Sequence, residues 1–265
     1  MNAEKVVNYI VSWLKDYAEK SHVNGFVIGI SGGIDSAVTS TLCAKTGFPV
    51  LCLEMPIHQA ENQITRAYDH IEWLQKNFKE VALKHINLTP VFDSLIAAFP
   101  QAEDEEQLLM SLANTRARLR MTSLYYFAAL NGYLVAGTGN KVEDFGVGFF
   151  TKYGDGGVDI SPIADLMKSE VYKIANYLGI NEEIIKAAPT DGLWGDDKTD
   201  EDQIGASYDE LEWAMKQVET GKKITDFEGR EKEVFAIYLQ RNRANKHKMI
   251  PIPICEIPEN LKIEY

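Results

Sequence analysis

Residues 31–36, Ser-Gly-Gly-Ile-Asp-Ser, constrain the fold of this chain more than any other stretch of its sequence. They follow the apolar run of residues 25–30, which predicts a buried strand. They precede residues 37–44, which predict a helix that ends near Gly47. The two glycines therefore lie at a strand-to-helix turn, where backbone N–H groups approach an anion without obstruction by a Cβ. The N-terminal end of the helix adds partial positive charge at the same place.

The side chains of this turn predict a site for phosphates with a metal ion beside them. Ser31 and Ser36 supply hydroxyl donors, and the Asp35 carboxylate is a ligand for a divalent cation. The turn differs from the GxxxxGK[ST] phosphate loop, which the sequence lacks. The alternative is a plain glycine turn capped by Asp and Ser, and the flanking strand and helix disfavour it.

Composition and charge argue against several classes of protein. The 265 residues, 45% of them hydrophobic, are enough for one α/β domain with a sizeable core. No apolar run reaches the ~18 residues of a membrane span, and the N-terminus has no signal-peptide pattern. The net charge of −12 disfavours a nucleic-acid partner. Cys43, Cys52 and Cys255 have no CxxC spacing, which argues against a zinc site or disulfides and favours a reducing, cytoplasmic setting.

Strand and helix signals alternate along the first half of the chain. Strands are predicted at residues 26–30, 50–55, 84–88 and 133–137, and helices at 1–20, 61–78, 91–99 and 107–131. This alternation predicts an α/β fold with a doubly wound parallel sheet flanked by helices. Ligands bind beyond the carboxyl ends of the strands in such sheets, where residues 31–36 and 138–143 lie.

Residues 1–265 are predicted to form a single domain whose C-terminal portion, from about residue 168, is helical. Helices are predicted there at residues 168–178, 208–219 and 231–245. The Gly- and Asp-rich residues 189–203 and 220–229 predict loops. The N-terminal helix is amphipathic, and its predicted apolar face consists of Val6, Ile10, Trp13, Leu14 and Tyr17.

A second motif, residues 148–159 with the sequence GFFTKYGDGGVD, combines glycines, a lysine, two aspartates and aromatic residues. Together with the first motif, it makes the chain resemble the ammonia-dependent NAD⁺ synthetases, members of the ATP pyrophosphatase superfamily. The resemblance extends over nearly the whole chain, through residues 114–121 (NTRARLRM), 137–140 (GTGN), 188–194 (APTDGLW), 199–201 (TDE) and 247–248 (HK). It implies an adenine nucleotide alpha-hydrolase-like fold.

The resemblance implies a two-step reaction that forms NAD⁺ from deamido-NAD⁺. ATP first adenylates the nicotinate carboxylate and releases pyrophosphate, and ammonia then attacks the acyl-adenylate and expels AMP. Both the phosphorus centre and the departing pyrophosphate gain negative charge, which N–H groups, lysines and Mg²⁺ stabilise. The family uses no protein nucleophile, and we expect charge stabilisation by Asp35, Lys152 and Lys168.

Site residues are carried over from the family position by position. The residues expected to bind ATP are Ile30, Ser31, Gly32, Gly33, Ile34, Asp35, Ser36, Thr138, Lys168 and Thr190. Those expected to bind deamido-NAD⁺ are Arg118, Lys152, Asp159, His247 and Lys248. The resemblance also implies a homodimer with the dinucleotide sites at the subunit interface. The N-terminal helix and residues 107–131 suit such an interface, and they suit an intramolecular core equally well.

Several assignments stay open at this point. Asp35 is the expected first Mg²⁺ ligand, but the segment between Glu143 and Gly148 is one residue longer than the family pattern. Either Glu143 is the second ligand and the segment bulges, or Asp144 takes its place; the spacing from Thr138 favours Glu143. Lys168 also reads as an ordinary solvated lysine of a first helical turn.

Three arginines, Arg116, Arg118 and Arg120, lie on one otherwise apolar predicted helix. Residues two apart point in different directions on a helix, so only one or two of them can face the site. Arg118 is the favoured one, and the others read as surface charges.

Two other functions compete with the leading one. The enzymatic alternative is another ATP pyrophosphatase-type amidating or thiolating synthetase. The non-enzymatic alternative is a nucleotide-sensing module without turnover. A glutamine-dependent enzyme would need a glutaminase domain with its own catalytic cysteine, for which 265 residues leave no room; a separate glutaminase subunit stays conceivable.

Overall fold

The fold is built on a parallel β-sheet, as the sequence predicted. The computed structural model describes residues 1–59, 61–101, 103–190 and 199–262. Within them the sheet contains β1 (Phe26–Gly29), β2 (Val50–Glu54), β3 (Val81–His85) and β4 (Leu134–Val135), in the order β3-β2-β1-β4. All three pairings are parallel, with Phe26 opposite both Val50 and Leu134.

Helices cover both faces of this sheet, which confirms the doubly wound arrangement. They are α1 (Ala3–Lys20), α2 (Ile34–Ala44), α3 (Glu61–Asn77), α4 (Thr89–Ala97), α5 (Glu105–Asn131), α6 (Lys168–Leu178), α7 (Glu182–Lys186), α8 (Asp200–Ile204), α9 (Tyr208–Glu219) and α10 (Gly229–Met249). Successive residues of β1 face opposite sides of the sheet, as in any β-strand. Ile28 packs with α1, α2, α3 and α6, whereas Val27 packs with α4 and α5. Each such fully buried side chain contributes about 1.5–3 kcal/mol to folding.

The strand β3 and the helix α1 differ from their sequence predictions. The third strand begins three residues before the predicted 84–88, because it is an edge strand whose exposed Lys84 and His85 blur the apolar pattern. On α1 the core face consists of Val7, Ile10, Leu14 and Ala18. Trp13 and Tyr17, predicted to lie on that face, are 37% and 39% exposed and contact each other with ring centroids 5.6 Å apart.

The predicted loops are partly helical. Residues 191–198 of the predicted loop 189–203 lie outside the described residues, and α8 occupies its end, begun by a capping box between Thr199 and Asp202. The predicted loop 220–229 contains the 3₁₀ turn Ile224–Asp226. Between β4 and α6, residues Val142–Val147 form a π-helix. In the part of the chain that the structure describes, no helix combines the length and apolar character needed to cross a bilayer.

The C-terminal helices α8, α9 and α10 form a helical lobe with the π-helix. Its core contains Val142, Val147, Met167, Ile204, Leu211, Met215, Val234, Phe235 and Tyr238. Because the π-helix begins at Val142, shortly after β4 ends at Val135, this lobe adjoins the carboxyl end of β4. After β1 the chain crosses to β2, which lies on one side of β1, while β4 pairs with β1 on its other side. The crevice between the two exits is where ligands bind in doubly wound sheets.

Candidate active site

A cavity of about 270 Å³ opens at the carboxyl ends of β1 and β4. Every residue that the sequence predicted to contact ATP lines it: Ile30, Ser31, Gly32, Gly33, Ile34, Asp35, Ser36, Thr138, Lys168 and Thr190. The predicted deamido-NAD⁺ residues Arg118, Lys152, Asp159, His247 and Lys248 are outside this lining. The sheet topology therefore brings the first set together and leaves the second beside it.

The loop after β1 is preformed by its own hydrogen bonds. Gly32 has a φ of +79°, and a Cβ built there would lie 2.6 Å from the backbone oxygen of Gln63, so the position requires glycine. The Ser36 hydroxyl donates to the Gly33 carbonyl at 2.9 Å and accepts from the Ser31 backbone N–H at 3.3 Å. The helix α2 begins directly at Ile34, three residues earlier than predicted, so Asp35 stands in its first turn.

A buried ion-pair cluster occupies the cavity wall beside this loop. The Lys168 ammonium donates to Asp35 Oδ2 at 2.6 Å and to Glu143 Oε1 at 3.0 Å. The three side chains are 3%, 17% and 16% exposed, in that order. Lys168 is therefore no solvated surface lysine. Two carboxylates against one ammonium leave the cluster with one net negative charge.

The pKa values within this cluster follow from burial and from charge pairing. Burial lowers the pKa of Lys168, but Asp35 and Glu143 outweigh it and hold that pKa above its usual value. Burial raises the pKa of Asp35, against the opposing effect of Lys168. Burial also acts to raise the pKa of Glu143, but Lys168 and a hydrogen bond from Tyr208 more than offset it, and the net shift is downward.

Three residues that the sequence analysis did not assign orient this cluster. Asn140 donates to Asp35 Oδ1 at 3.2 Å and accepts the backbone N–H of Glu143 at 3.2 Å. Tyr208 donates to Glu143 Oε1 at 2.6 Å and also lies 3.3 Å from Asp200 Oδ2. Only Asn140 follows a recognisable local signal, the end of β4; Tyr208 and Asp200 come from distant helices.

The π-helix explains the additional residue between Glu143 and Gly148. Its wider turn returns the Gly148 N–H to the carbonyl of Glu143, five residues back, so one residue more fits in the turn. Glu143 consequently faces Lys168, and Asp144 faces the backbone of Gly139. A Cβ on Gly139 would lie 2.2 Å from Asp144 Oδ1.

Asp144 lies in the same wall in a different electrostatic state. Burial, followed by the charges of Glu143, Asp155 and Asp35, raises its pKa to about 8. Below that pH the carboxyl is largely protonated and carries no charge. The two neighbouring acids therefore differ, with Glu143 ionised and paired and Asp144 mostly neutral at pH 7.

Comparison with known proteins identifies the family. Residues 6–251 match the family model described as NAD synthase. The chain belongs to the NAD synthase family. These proteins are ATP-using ligases that form C–N bonds, so the family and the class of activity predicted from the sequence are confirmed.

Relatives of this family resemble the chain over nearly its full length. An NH(3)-dependent NAD(+) synthetase from Carboxydothermus hydrogenoformans is 35% identical over 260 residues, covering 96% of this chain and 99% of the relative. A solved NMN synthetase from Francisella tularensis has a TM-score of 0.84 at 31% identity, covering 97% of this chain and 100% of its own. An NH3-dependent NAD synthetase from Campylobacter jejuni has a TM-score of 0.78 at 29% identity, covering 97% and 100%.

The three arginines of helix α5 point in directions that differ from the sequence prediction. Arg120, predicted to be a surface charge, lines the cavity and donates to the Met55 carbonyl at 3.1 Å and to Gln59 Oε1 at 2.6 Å. Arg118 points to the second motif, with its guanidinium 3.4 Å from the Lys152 carbonyl. Arg116 lies 4.5 Å over the Phe92 ring. Of these three arginines, Arg120 is therefore the one that lines the cavity.

Two further cavity residues were missed or left unassigned by the sequence analysis. Arg66 of α3 lines the cavity and donates to the Gly32 carbonyl at 3.3 Å, which places a cation beside the phosphate loop. Glu54, at the end of β2, is buried and contacts His85. Neither lies in a motif, because each reaches the cavity only through the packing of α3 and β2 around the loop.

The residues predicted to bind deamido-NAD⁺ are grouped around the second motif. The Lys152 ammonium donates to the His247 carbonyl at 2.7 Å, which joins the second motif to the end of α10. Lys248 donates to the carbonyls of Gly148 and Phe150 at 3.0 and 2.8 Å. Asp159, the last residue of the second motif, accepts hydrogen bonds from the Val135 N–H and the Tyr125 hydroxyl.

Proposed function

We propose that this NAD synthase converts deamido-NAD⁺, ATP and ammonia into NAD⁺, AMP and pyrophosphate through an acyl-adenylate. The observation that carries the proposal is the buried Lys168–Asp35–Glu143 cluster beside a preformed phosphate loop at the switch point of the sheet. A phosphate loop alone suits any nucleotide. The cluster adds paired charges that can stabilise adenylyl transfer.

The chain contributes binding and charge stabilisation. We expect residues 31–36 to bind the pyrophosphate portion of ATP, with Lys168 and Arg66 supplying cations nearby. The nicotinate carboxylate attacks the α-phosphorus, and the bond from that phosphorus to the departing pyrophosphate breaks. Ammonia then attacks the acyl carbon, and AMP leaves. Negative charge grows on the phosphoryl oxygens and on the pyrophosphate, where fixed N–H groups and cations lower the barrier.

The residues of the cluster fit Mg²⁺. The ion takes oxygen ligands, retains several waters and is commonly bound through one or two carboxylates together with substrate phosphates. Asp35 and Glu143 offer two such carboxylates, and among the described residues no group of three or more His, Cys, Asp or Glu forms a complete protein site. When bound, Mg²⁺ supplies positive charge to the phosphates. Glu143 is the better second ligand, because it meets Asp35 at Lys168, whereas Asp144 faces the backbone of Gly139.

We assign deamido-NAD⁺ to the surface around the second motif. Arg118, Lys152, Lys248 and His247 gather cationic groups and a histidine there, next to the cavity wall that contains Phe149 and Phe150. Anionic ligands with aromatic bases suit such a surface. Asp159 is retained as a contact by resemblance, although both of its carboxylate oxygens already accept hydrogen bonds.

Product analysis tests the reaction directly. With ATP, MgCl₂, deamido-NAD⁺ and ammonium, we expect NAD⁺, AMP and pyrophosphate in equal amounts, because the loop is suited to a pyrophosphate leaving group. Chromatography of the nucleotides and a pyrophosphatase-coupled assay measure them. Coupled formation of ADP and phosphate would contradict the proposal.

A glutamine arm of the same assay serves as the control for the nitrogen source. Cys43 and Cys52 are buried, and burial raises the pKa of Cys52 to about 12, so these thiols are poor nucleophiles. We expect very little turnover with ammonia-free glutamine, and ammonium-driven turnover should persist when all three cysteines are changed to serine.

The solved NMN synthetase raises a second candidate substrate, nicotinate mononucleotide, which lacks the adenylate half. Its structural similarity is high, but the curated relatives with 35–40% identity are named as NAD⁺ synthetases. We expect kcat/KM for deamido-NAD⁺ to exceed that for nicotinate mononucleotide by at least roughly tenfold, because the additional half contributes binding energy. Parallel initial-rate measurements decide this. The reverse preference would assign NMN formation to the chain.

The remaining expectations stay predictions. The homodimer rests on the family resemblance, and the described residues leave Leu109, Met110, Tyr126 and Leu130 of α5 exposed where an interface would be. The cytoplasmic setting and the lack of nucleic-acid binding rest on the cysteines and the net charge of −12.

A further inference from the structure

The helix α9 presents two buried polar side chains to the ion-pair cluster. Tyr208 and Glu212 are 6% and 4% exposed. Residues four apart lie on the same face of a helix, so both point from the helical lobe toward the start of α6. Neither residue touches the phosphate loop, and neither lies in one of the two sequence motifs.

Tyr208 contacts two members of the ion-pair cluster, Glu143 and Lys168. Its hydroxyl donates to Glu143 Oε1 at 2.6 Å, and its ring lies beneath the Lys168 ammonium, with 4.6 Å from Nζ to the centroid. A phenylalanine would fill the same volume, so packing alone does not need the hydroxyl. The hydroxyl instead holds one of the two carboxylate oxygens of Glu143 in place.

Glu212 contacts the other side of the cluster through the backbone. Its carboxylate accepts the Ser169 backbone N–H at 2.7 Å and the Ser169 hydroxyl at 2.8 Å. Ser169 directly follows Lys168, the first residue of α6. An anion at the N-terminus of a helix satisfies its free N–H groups and its dipole. Glu212 thereby fixes the turn from which the Lys168 side chain projects.

A capping box, a hydrogen bond and an ion pair fix the position of α9. Ser207 and Glu210 form a capping box at its start, and Glu201 accepts the Tyr208 backbone N–H at 2.8 Å. Arg230 of α10 binds Glu210 at 2.7 Å. A displacement of the helical lobe would therefore move Tyr208 and Glu212 together.

We propose that Tyr208 and Glu212 are positioning residues, through which α9 sets the distance and orientation of Glu143 and Lys168 for adenylyl transfer. The inference rests on the proposed function for its activity readout and on cation binding for an independent one. It predicts that loss of the Tyr208 hydroxyl weakens divalent-cation binding at Glu143 without unfolding the lobe.

The test compares Tyr208→Phe with Tyr238→Phe, a buried tyrosine of the same lobe core. Mn²⁺ binding in the presence of a non-hydrolysable ATP analogue is followed by electron paramagnetic resonance, and NAD⁺ formation by initial rates. For Tyr208→Phe we expect about a tenfold weaker Mn²⁺ affinity and a kcat lowered by about tenfold or more, which is typical of losing a hydrogen bond to a charged group. KM for deamido-NAD⁺ should change by less than about twofold, and Tyr238→Phe should match wild type.

Substitutions of Glu212 provide the second part of the test. Glu212→Ala should lower kcat, and Glu212→Gln, which keeps an acceptor for the Ser169 N–H, should recover most of it. Wild-type Mn²⁺ affinity and kcat in Tyr208→Phe would overturn the inference, as would a loss of melting temperature alone. A wild-type enzyme that forms no NAD⁺ while Tyr208→Phe still weakens Mn²⁺ binding would refute the proposed function and leave the positioning role standing.

Discussion

Lys168→Met is expected to lower the rate of NAD⁺ formation by about a thousandfold, the upper range for losing one fixed electrostatic stabiliser. Methionine has a similar length and no charge. The substitution removes the ammonium that lies 2.6 Å from Asp35 and 3.0 Å from Glu143. It also converts a cluster with one net negative charge into one with two, at the wall where polyphosphate must bind. Initial rates at saturating substrates measure the effect.

The same substitution should destabilise the protein. Removing one partner of a buried ion pair costs about 3–5 kcal/mol, because the remaining charge is left uncompensated. The pKa of Lys168 is raised in the folded state, so its stabilisation is fully present below the unfolded value of about 10.4 and is lost only as the pH rises through the folded value. In the variant, protonation relieves the repulsion between Asp35 and Glu143. The deficit in melting temperature should therefore be larger at pH 8 than at pH 5.

Lys173→Met provides the matched control, since Lys173 is an exposed lysine of the same helix. It should keep wild-type turnover and stability at both pH values. Turnover of Lys168→Met within about tenfold of wild type would place the stabilising cation elsewhere, and among the described residues Arg66 and Arg120 are the other cations that line the cavity.

The residues that the sequence predicted to bind ATP line one cavity, because most of the signals that led to them are local. Residues 31–36 and Thr138 follow directly from strands, and a parallel sheet brings the carboxyl ends of neighbouring strands to one edge. Lys168 required the family resemblance, since a lysine in a first helical turn is ordinary in itself. The sheet and the longest helices followed from apolar periodicity.

What the sequence missed depends on contacts between distant segments. Tyr208 lies 65 positions from Glu143, and Arg120 lies 61 from Gln59, so no local pattern links them. The choice between Arg118 and Arg120 depends on the rotation of α5 against the sheet. The choice between Glu143 and Asp144 depends on a π-helix, whose single extra residue turns one carboxylate to Lys168 and the other to Gly139.

Asp35, Glu143 and Asp144, three of the acidic residues that line the cavity, should respond differently to amide substitution. Asp35→Asn is expected to reduce turnover by at least about a hundredfold, because it removes a charged ligand from the phosphate site while retaining its shape. Its melting temperature should stay close to wild type, since Lys168 still pairs with Glu143 and the cluster becomes neutral. Glu143→Gln should behave in the same way for the same reason.

Asp144→Asn discriminates between the two possible metal ligands. Burial and the neighbouring acids raise the pKa of Asp144 to about 8, so at pH 7 the substitution exchanges one mostly neutral group for another. We expect turnover within about threefold of wild type and an unchanged Mg²⁺ requirement, whereas Asp35→Asn and Glu143→Gln should need more Mg²⁺ for half-maximal rate. Titrations of rate against Mg²⁺ for the three variants measure both quantities. An inactive Asp144→Asn beside a normal Glu143→Gln would make Asp144 the ligand, and wild-type behaviour of both would remove the second carboxylate from the metal site.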